Sequence, residues 1–144
     1  MQLSPHFTLA EATVSATAVA RGIDNTPSDG ERLLLRYVAL HMEHVRRLLG
    51  NNPITINSWF RSEALNKAVG GVPDSAHRLG QAVDFTCYRF GSVLAICQAI
   101  EHSPLMFDQL IWERGVWVHI SFASALRRQV LQFDGRSYKP GLPS

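Results

Sequence analysis

The longest amphipathic pattern in the chain lies between residues 28 and 50. Apolar side chains recur there at helical spacing, and they are Leu34, Val38, Met42, Val45 and Leu49. Ser28 or Asp29 is a suitable N-cap, and Gly50 is a suitable C-terminal stop. The pattern therefore predicts one long helix with a buried face, which we expect to be the main helix of the core.

Shorter helices are predicted where a Ser or Thr precedes a run of helix-compatible residues. The expected caps are Thr8, Ser15, Ser62 and Ser92. The helix after Ser62 is expected to end near Val69, and the helix after Ser92 is expected to end near Ile100. Residues 1–30 are otherwise expected to be rich in loops.

Strands are predicted in the second half of the chain, where apolar and polar positions alternate. The expected strands are Ile54–Ile56, Ala82–Thr86, a hairpin of Phe107–Glu113 with Val116–Phe122, and Val130–Phe133. Residues 135–144 are rich in Gly and Pro and are expected to form an irregular tail. No repeat or linker divides the chain, so residues 1–144 predict a single α+β domain in which a small antiparallel sheet packs against helices.

Composition narrows the possible functions. Hydrophobic residues make up 46% of the chain and charged residues 18%, as in soluble globular proteins. The net charge of +2 is scattered, and no basic stripe with interleaved aromatic residues indicates nucleic-acid binding. No apolar run is long enough to cross a membrane, and the N-terminus lacks a signal-peptide pattern. We expect a monomer that is made in the cytoplasm, with Cys87 and Cys97 as buried thiols.

Three residues form a candidate metal site. His77, Asp84 and His119 supply two imidazoles and one carboxylate, which is a ligand set that leaves a fourth position of catalytic zinc for water. The interval between His77 and Asp84 corresponds to a loop followed by a strand. From spacing alone, a simple hydrogen bond between His77 and Asp84 remains an alternative to metal binding.

The predicted hairpin places a carboxylate near this site if its loop has a particular length. Matching apolar faces puts Gln109 and Glu113 on the face of His119. A two-residue loop would pair Glu113 with Val116 and turn its side chain to the other face. A three-residue loop pairs Glu113 with Trp117 and leaves it diagonal to His119, about 7–8 Å away. We therefore predict a three-residue loop or an equivalent bulge.

Two motifs carry a family resemblance. Ser-x-His-x-x-Gly-x-Ala-x-Asp at residues 75–84, followed by Trp-Val-His at residues 117–119, resembles the zinc D-alanyl-D-alanine carboxypeptidase family of peptidoglycan peptidases. That family includes wall carboxypeptidases, dipeptidases and phage endolysins, and its fold is shared with lysostaphin-type endopeptidases and the hedgehog signalling domain. Residues 3–11, 56–62 and 108–113 are similar to a phage and prophage branch.

The resemblance implies roles for individual residues. It implies that His77, Asp84 and His119 bind Zn²⁺, that Arg61 orients substrate or stabilises the oxyanion, and that Ser75 hydrogen-bonds the substrate. The residues alone leave two alternatives open, a surface salt bridge for Arg61 and a loop cap for Ser75.

The chain departs from the family pattern at one position. Better-known members carry an acidic general base three residues before the last histidine, where this chain has Val116. The nearest acids are Glu113 and Asp108, and the face matching selects Glu113 as the base. Gln109 is expected to position the peptide together with Ser75.

The expected function is therefore that of a zinc metallopeptidase acting on D-Ala-containing peptidoglycan stem peptides or cross-links. The resemblance implies a phage or prophage endolysin that reaches the wall through a holin or in a virion. The residues do not decide between endopeptidase and carboxypeptidase action. The alternatives are a catalytically inactive zinc-fold module that binds the wall or belongs to a phage particle, and a domain without metal.

Overall fold

The computed structural model describes residues 1–144 and contains five helices and eight strands. The helices are α1 (Leu9–Thr13), α2 (Ala16–Arg21), α3 (Asp29–Leu48), α4 (Glu63–Ala68) and α5 (Val93–Glu101). The strands are β1 (Gln2–Ser4), β2 (Phe7–Thr8), β3 (Thr55–Ser58), β4 (Ala82–Thr86), β5 (Gln109–Glu113), β6 (Trp117–Ser121), β7 (Gln129–Phe133) and β8 (Tyr138–Pro140). None of these helices combines the length and apolarity that crossing a membrane requires.

Six of the strands form one sheet in the order β3-β4-β6-β5-β7-β8. β1 and β2 form a separate two-stranded sheet beside the long helix. The predicted α+β class is confirmed. The sheet is antiparallel except between β5 and β7, which run parallel because the chain crosses back after β6 to reach the outer side of β5.

Helix α3 forms as predicted and supplies the centre of the core. Ser28 caps it in a capping box with Glu31, so two backbone N–H groups of the first turn are satisfied. The buried stripe begins at Leu35 rather than at Leu34, which is half-buried. The side chain of Leu35 lies under the loop that carries His77, so this helix supports the candidate site from below.

One face of the sheet packs into the core, and the opposite face carries the candidate metal ligands of β4 and β6. Val83, Phe85, Val118 and Ile120 point to one face and belong to the core that α3 and α5 also build. Since side chains alternate along a strand, Asp84 and His119 must point to the opposite face. The core side of these strands therefore fixes the position of both residues.

The prediction of an irregular tail is wrong for β8. Asp134 accepts hydrogen bonds from the backbone N–H groups of Arg136 and Ser137, at 2.8 and 2.9 Å. This turn reverses the chain and lets Tyr138 pair with Phe133 on β7. The Asp-Gly sequence that opens the turn is a hairpin signal, which the high Gly and Pro content of the tail obscured.

Candidate metal centre

Strands β4 and β6 bring two of the candidate ligands together. Asp84 and His119 are direct partners in this antiparallel pair, so their side chains leave the same face side by side. His119 Nδ1 lies 2.9 Å from Asp84 Oδ1. Asp84 is buried and His119 is partly exposed, which leaves the pair open on the side of the histidine.

The third candidate ligand reaches the site from a loop. The N–H of His77 donates to Ser75 Oγ at 3.2 Å, and its carbonyl accepts from the N–H groups of Arg61 and Gly80. Its Nδ1 lies 2.8 Å from the carbonyl oxygen of Trp59. Because a carbonyl only accepts hydrogen bonds, Nδ1 carries the proton. His77 therefore directs its other ring nitrogen, Nε2, toward Asp84.

The three side chains fit a single metal ion. His77 Nε2 lies 3.1 Å from Asp84 Oδ2, and the ligand atoms of the three residues all lie within 4.8 Å of one another. Ligand atoms around tetrahedral zinc are about 3.4 Å apart, given metal–ligand distances near 2.1 Å. The observed spacing and the set of two imidazoles with one carboxylate therefore match a zinc centre.

The charge state of Asp84 agrees with metal binding. Burial of this carboxyl opposes ionisation, but hydrogen bonds from His119 and His77 outweigh it and hold its pKa well below the usual range. Asp84 is thus an anion at neutral pH in a buried position, where a carboxylate requires a strong partner.

Gly80 shapes the loop that holds His77, and we expect Gly80→Ala to destabilise the protein. Gly80 has a φ of +71°, and an added Cβ would lie 2.9 Å from Cδ2 of Leu35. Left-handed strain and overpacking together predict a loss of about 2–4 kcal/mol in the free energy of unfolding. Urea denaturation measures it.

Gly70→Ala is a matched control for this prediction. Gly70 has a similar φ of +75°, but an added Cβ would meet nothing within 4 Å. Its replacement should therefore cost only the backbone strain, about 1–2 kcal/mol. Equal losses for the two variants would show that the contact with Leu35 adds nothing.

The hairpin has the register that the sequence predicted. Glu113 pairs with Trp117, and Val116 is the extra residue of the connection. Arg114 and Gly115 adopt the left-handed conformation, with φ values of 55° and 72°. This register puts Glu113 on the sheet face of His119 and diagonal to it.

Glu113 is a partly buried carboxylate with a raised pKa. Burial raises its pKa, nearby His119 lowers it, Asp84 raises it and Arg114 lowers it, and the net change is upward. Asp108, the other acid near the site in sequence, forms an ion pair with Arg127 through both carboxylate oxygens, at 2.9 Å each. Asp108 is therefore committed to holding the segment after β6.

Arg61 lies near Asp84 and is free of structural ion pairs. None of the ion pairs in the structure involves Arg61, which removes the salt-bridge alternative. Burial lowers the pKa of its guanidinium and the charge of Asp84 raises it. A cavity of about 220 Å³ lies beside it, lined in part by Ser58 and Phe60. Its other lining residues lie at the start of α2, on β3 and on α4, and none of the candidate metal ligands borders it. The influence of the Asp84 charge is therefore the observation that links Arg61 to the metal centre.

Ser75 and Gln109 are both tied to neighbouring groups. The hydroxyl of Ser75 accepts the N–H of His77, which is the loop-capping contact, while its own hydrogen stays available for donation. The side-chain amide of Gln109 donates to Gln129 at 2.8 Å. Gln109 pairs with Ser121 and so lies at the end of the hairpin opposite Glu113.

The face of His119 also carries aromatic residues that the sequence did not assign to the site. Trp117 pairs with Glu113, Glu113 pairs with Phe133, and Phe133 pairs with Tyr138. We call Trp117, Phe133 and Tyr138 the aromatic row. Its outermost member, Tyr138, lies on β8, and the Asp-Gly sequence of the turn before β8 was the signal for this strand.

Metal-dependent hydrolases combine protein ligands for a metal with an acid–base residue and a positive charge. This site has features of that class, namely three convergent metal donors, a half-buried carboxylate with a raised pKa and an unpaired guanidinium. The family model described as Peptidase M15 matches residues 5–121. The chain belongs to the M15 peptidase family, which confirms the family resemblance drawn from the motifs.

A curated relative carries a related name. Over 43 residues the chain is 42% identical to the zinc D-Ala-D-Ala carboxypeptidase of Streptomyces albus G. The matched segment is 30% of this chain and 17% of that protein, so the chain spans only a small part of the relative's length.

Proposed function

We propose that the protein is a zinc-dependent peptidase that hydrolyses amide bonds in the stem peptides or cross-links of peptidoglycan. The observation that carries this proposal is the convergence of His77, Asp84 and His119 beside Glu113. Membership of the M15 family and the name of the Streptomyces relative support both the metal and the substrate class.

The proposed metal supplies the electrophilic part of the reaction. When bound, a zinc ion would lower the pKa of a water ligand toward neutrality and would polarise the scissile carbonyl. His77, Asp84 and His119 would hold the ion. The hydrogen bond from His77 to the Trp59 carbonyl keeps the imidazole in the tautomer and orientation that binding requires.

The remaining polar residues handle the proton and the developing charge. Glu113 accepts a proton from the attacking water and returns it to the leaving amine, and its raised pKa suits both transfers. Arg61 places positive charge where the oxyanion develops. Ser75 donates its hydroxyl hydrogen to the substrate, and Gln109 contacts the peptide at the other end of the hairpin.

Digestion of purified wall peptides tests the proposal. Zinc-loaded protein should cleave stem peptides or cross-linked dimers, and mass spectrometry of the products should identify the bond. Protein stripped with a chelator should be inactive and should recover when zinc is restored. Intact peptides after incubation with stoichiometrically loaded protein would contradict the proposal.

A second candidate function is a zinc-fold module without catalysis that binds the wall or belongs to a phage particle. Val116, which replaces the acidic residue expected three positions before His119, favours it. This module would retain zinc and sediment with purified walls without releasing peptides. The digestion experiment therefore separates the two candidates.

We also propose that the cellular role is that of a phage or prophage endolysin released by a holin or carried in a virion. The similarity of residues 3–11 and 56–62 to that branch supports this role. Cells producing the protein should lyse when a holin is co-produced, and the Glu113→Gln variant should not lyse them. Survival of cells producing wild-type protein and holin would contradict it.

A further inference from the structure

The last strand brings a tyrosine to the face of the sheet that carries the metal centre. Directly opposed residues on paired strands share a face. The pairs Glu113–Phe133 and Phe133–Tyr138 therefore place all three side chains on the face of Asp84 and His119. Tyr138 is thus the outer end of the aromatic row.

Contacts within the row fix the tyrosine without hiding it. The rings of Phe133 and Tyr138 lie 4.5 Å apart between centroids, with an angle of 34° between their planes. Tyr138 is nevertheless 56% exposed. Phe133 therefore holds the ring while more than half of Tyr138 remains accessible to a ligand.

The electrostatic surroundings agree with this position. Burial raises the pKa of the Tyr138 phenol, and the charges of Glu113 and Asp84 raise it further. The phenol is therefore close enough to both carboxylates to sense them, although its strand lies at the edge of the sheet. It stays protonated at neutral pH and is available as a hydrogen-bond donor.

We propose that Tyr138 is a substrate-binding residue whose phenol donates a hydrogen bond to a backbone carbonyl oxygen of the peptide, and that Phe133 positions its ring. A neutral acceptor is favoured because Glu113 repels an anionic one. Arg61 follows β3 at the opposite edge of the sheet and offers the positive charge that a carboxylate prefers. We therefore expect uncharged peptide backbone on the β8 side of the scissile bond.

This assignment rests on the proposed peptidase function and deepens it. It names a further residue for substrate recognition and sets the direction of the peptide across the sheet. Because the phenol contacts backbone away from the reacting atoms, it stabilises the bound substrate and the transition state equally. Its loss should appear in KM and leave kcat nearly unchanged.

The test compares Tyr138→Phe with Tyr37→Phe. The first removes the hydroxyl and keeps the ring contact with Phe133, while the second removes a hydroxyl on α3, behind the sheet. The probe is a synthetic pentapeptide stem ending in D-Ala-D-Ala. Calorimetry on zinc-loaded Glu113→Gln protein measures its dissociation constant without turnover, and steady-state kinetics are measured with the glutamate intact.

Tyr138→Phe should raise both the dissociation constant and KM about 3–10-fold, as expected for one neutral hydrogen bond, while Tyr37→Phe should change neither. The Tyr138 assignment alone would be overturned if the wild type hydrolyses the peptide but Tyr138→Phe leaves the dissociation constant of the Glu113→Gln protein unchanged. Binding without hydrolysis would contradict the peptidase function, and a weaker complex with Tyr138→Phe would still support the contact. If the peptide binds to the Glu113→Gln protein neither with nor without Tyr138→Phe, both the peptidase function and the Tyr138 assignment would be overturned.

Discussion

His119→Ala is expected to remove bound zinc and to lower the rate of peptide hydrolysis at least about 1,000-fold, because the activation of water by the metal is lost with it. Only His77 and Asp84 remain as protein donors in this variant, and a catalytic zinc site uses three. Metal content per protein after dialysis and the initial rate on a stem peptide measure the two effects.

His102→Ala is the control for this variant. His102 is an exposed histidine at the end of α5 and is not one of the three convergent ligands. Its replacement should leave both metal content and rate at wild-type levels. Stoichiometric zinc in His119→Ala, or equal losses in the two variants, would show that the ion is held elsewhere.

Glu113→Gln is expected to lower kcat about 100- to 10,000-fold while the zinc content stays stoichiometric. Glutamine keeps the size and polarity of the side chain but accepts no proton at neutral pH. The wild-type rate should also fall as the pH is lowered through the pKa of Glu113, which burial raises, since a protonated carboxyl no longer acts as a base. Steady-state kinetics with parallel metal analysis measure these effects.

Asp108→Asn is the matched control, because Asp108 is the other acid that the sequence offered. Its carboxylate binds Arg127, so its replacement should reduce stability and leave kcat close to that of the wild type. A normal kcat in Glu113→Gln would exclude Glu113 as the base. A large fall in kcat for Asp108→Asn without unfolding would point to Asp108 instead.

Local sequence signals predicted much of the fold. Ser28 caps α3 and Ser92 caps α5 as expected, and β4 has its predicted bounds of Ala82–Thr86. Each capping contact joins residues three positions apart, and the alternation of apolar and polar side chains that predicts β4 spans five residues. Neither signal depends on the rest of the chain. The length of the hairpin connection was also predictable, because only one register joins the apolar faces of both strands.

Features that depend on distant segments were harder to predict. The convergence of Asp84 with His119 requires β4 to pair with β6, which no local pattern specifies. No local pattern specifies the parallel pairing of β7 with β5 either, and the position of Tyr138 depends on it because β8 pairs with β7. The residues of the proposed metal site were therefore named from motifs in the sequence, whereas the edge strand that carries Tyr138 was not predicted.

The hydrogen bond between His77 and the Trp59 carbonyl has a consequence for how the ion is acquired. The ring is buried and oriented by the polypeptide itself, and Asp84 is fixed by a strand at the middle of the sheet. Metal capture therefore requires little ordering of the chain, unlike zinc fingers, whose folding and metal binding are one event. We therefore expect removal of the ion to cost this chain less of its structure than it costs a zinc finger.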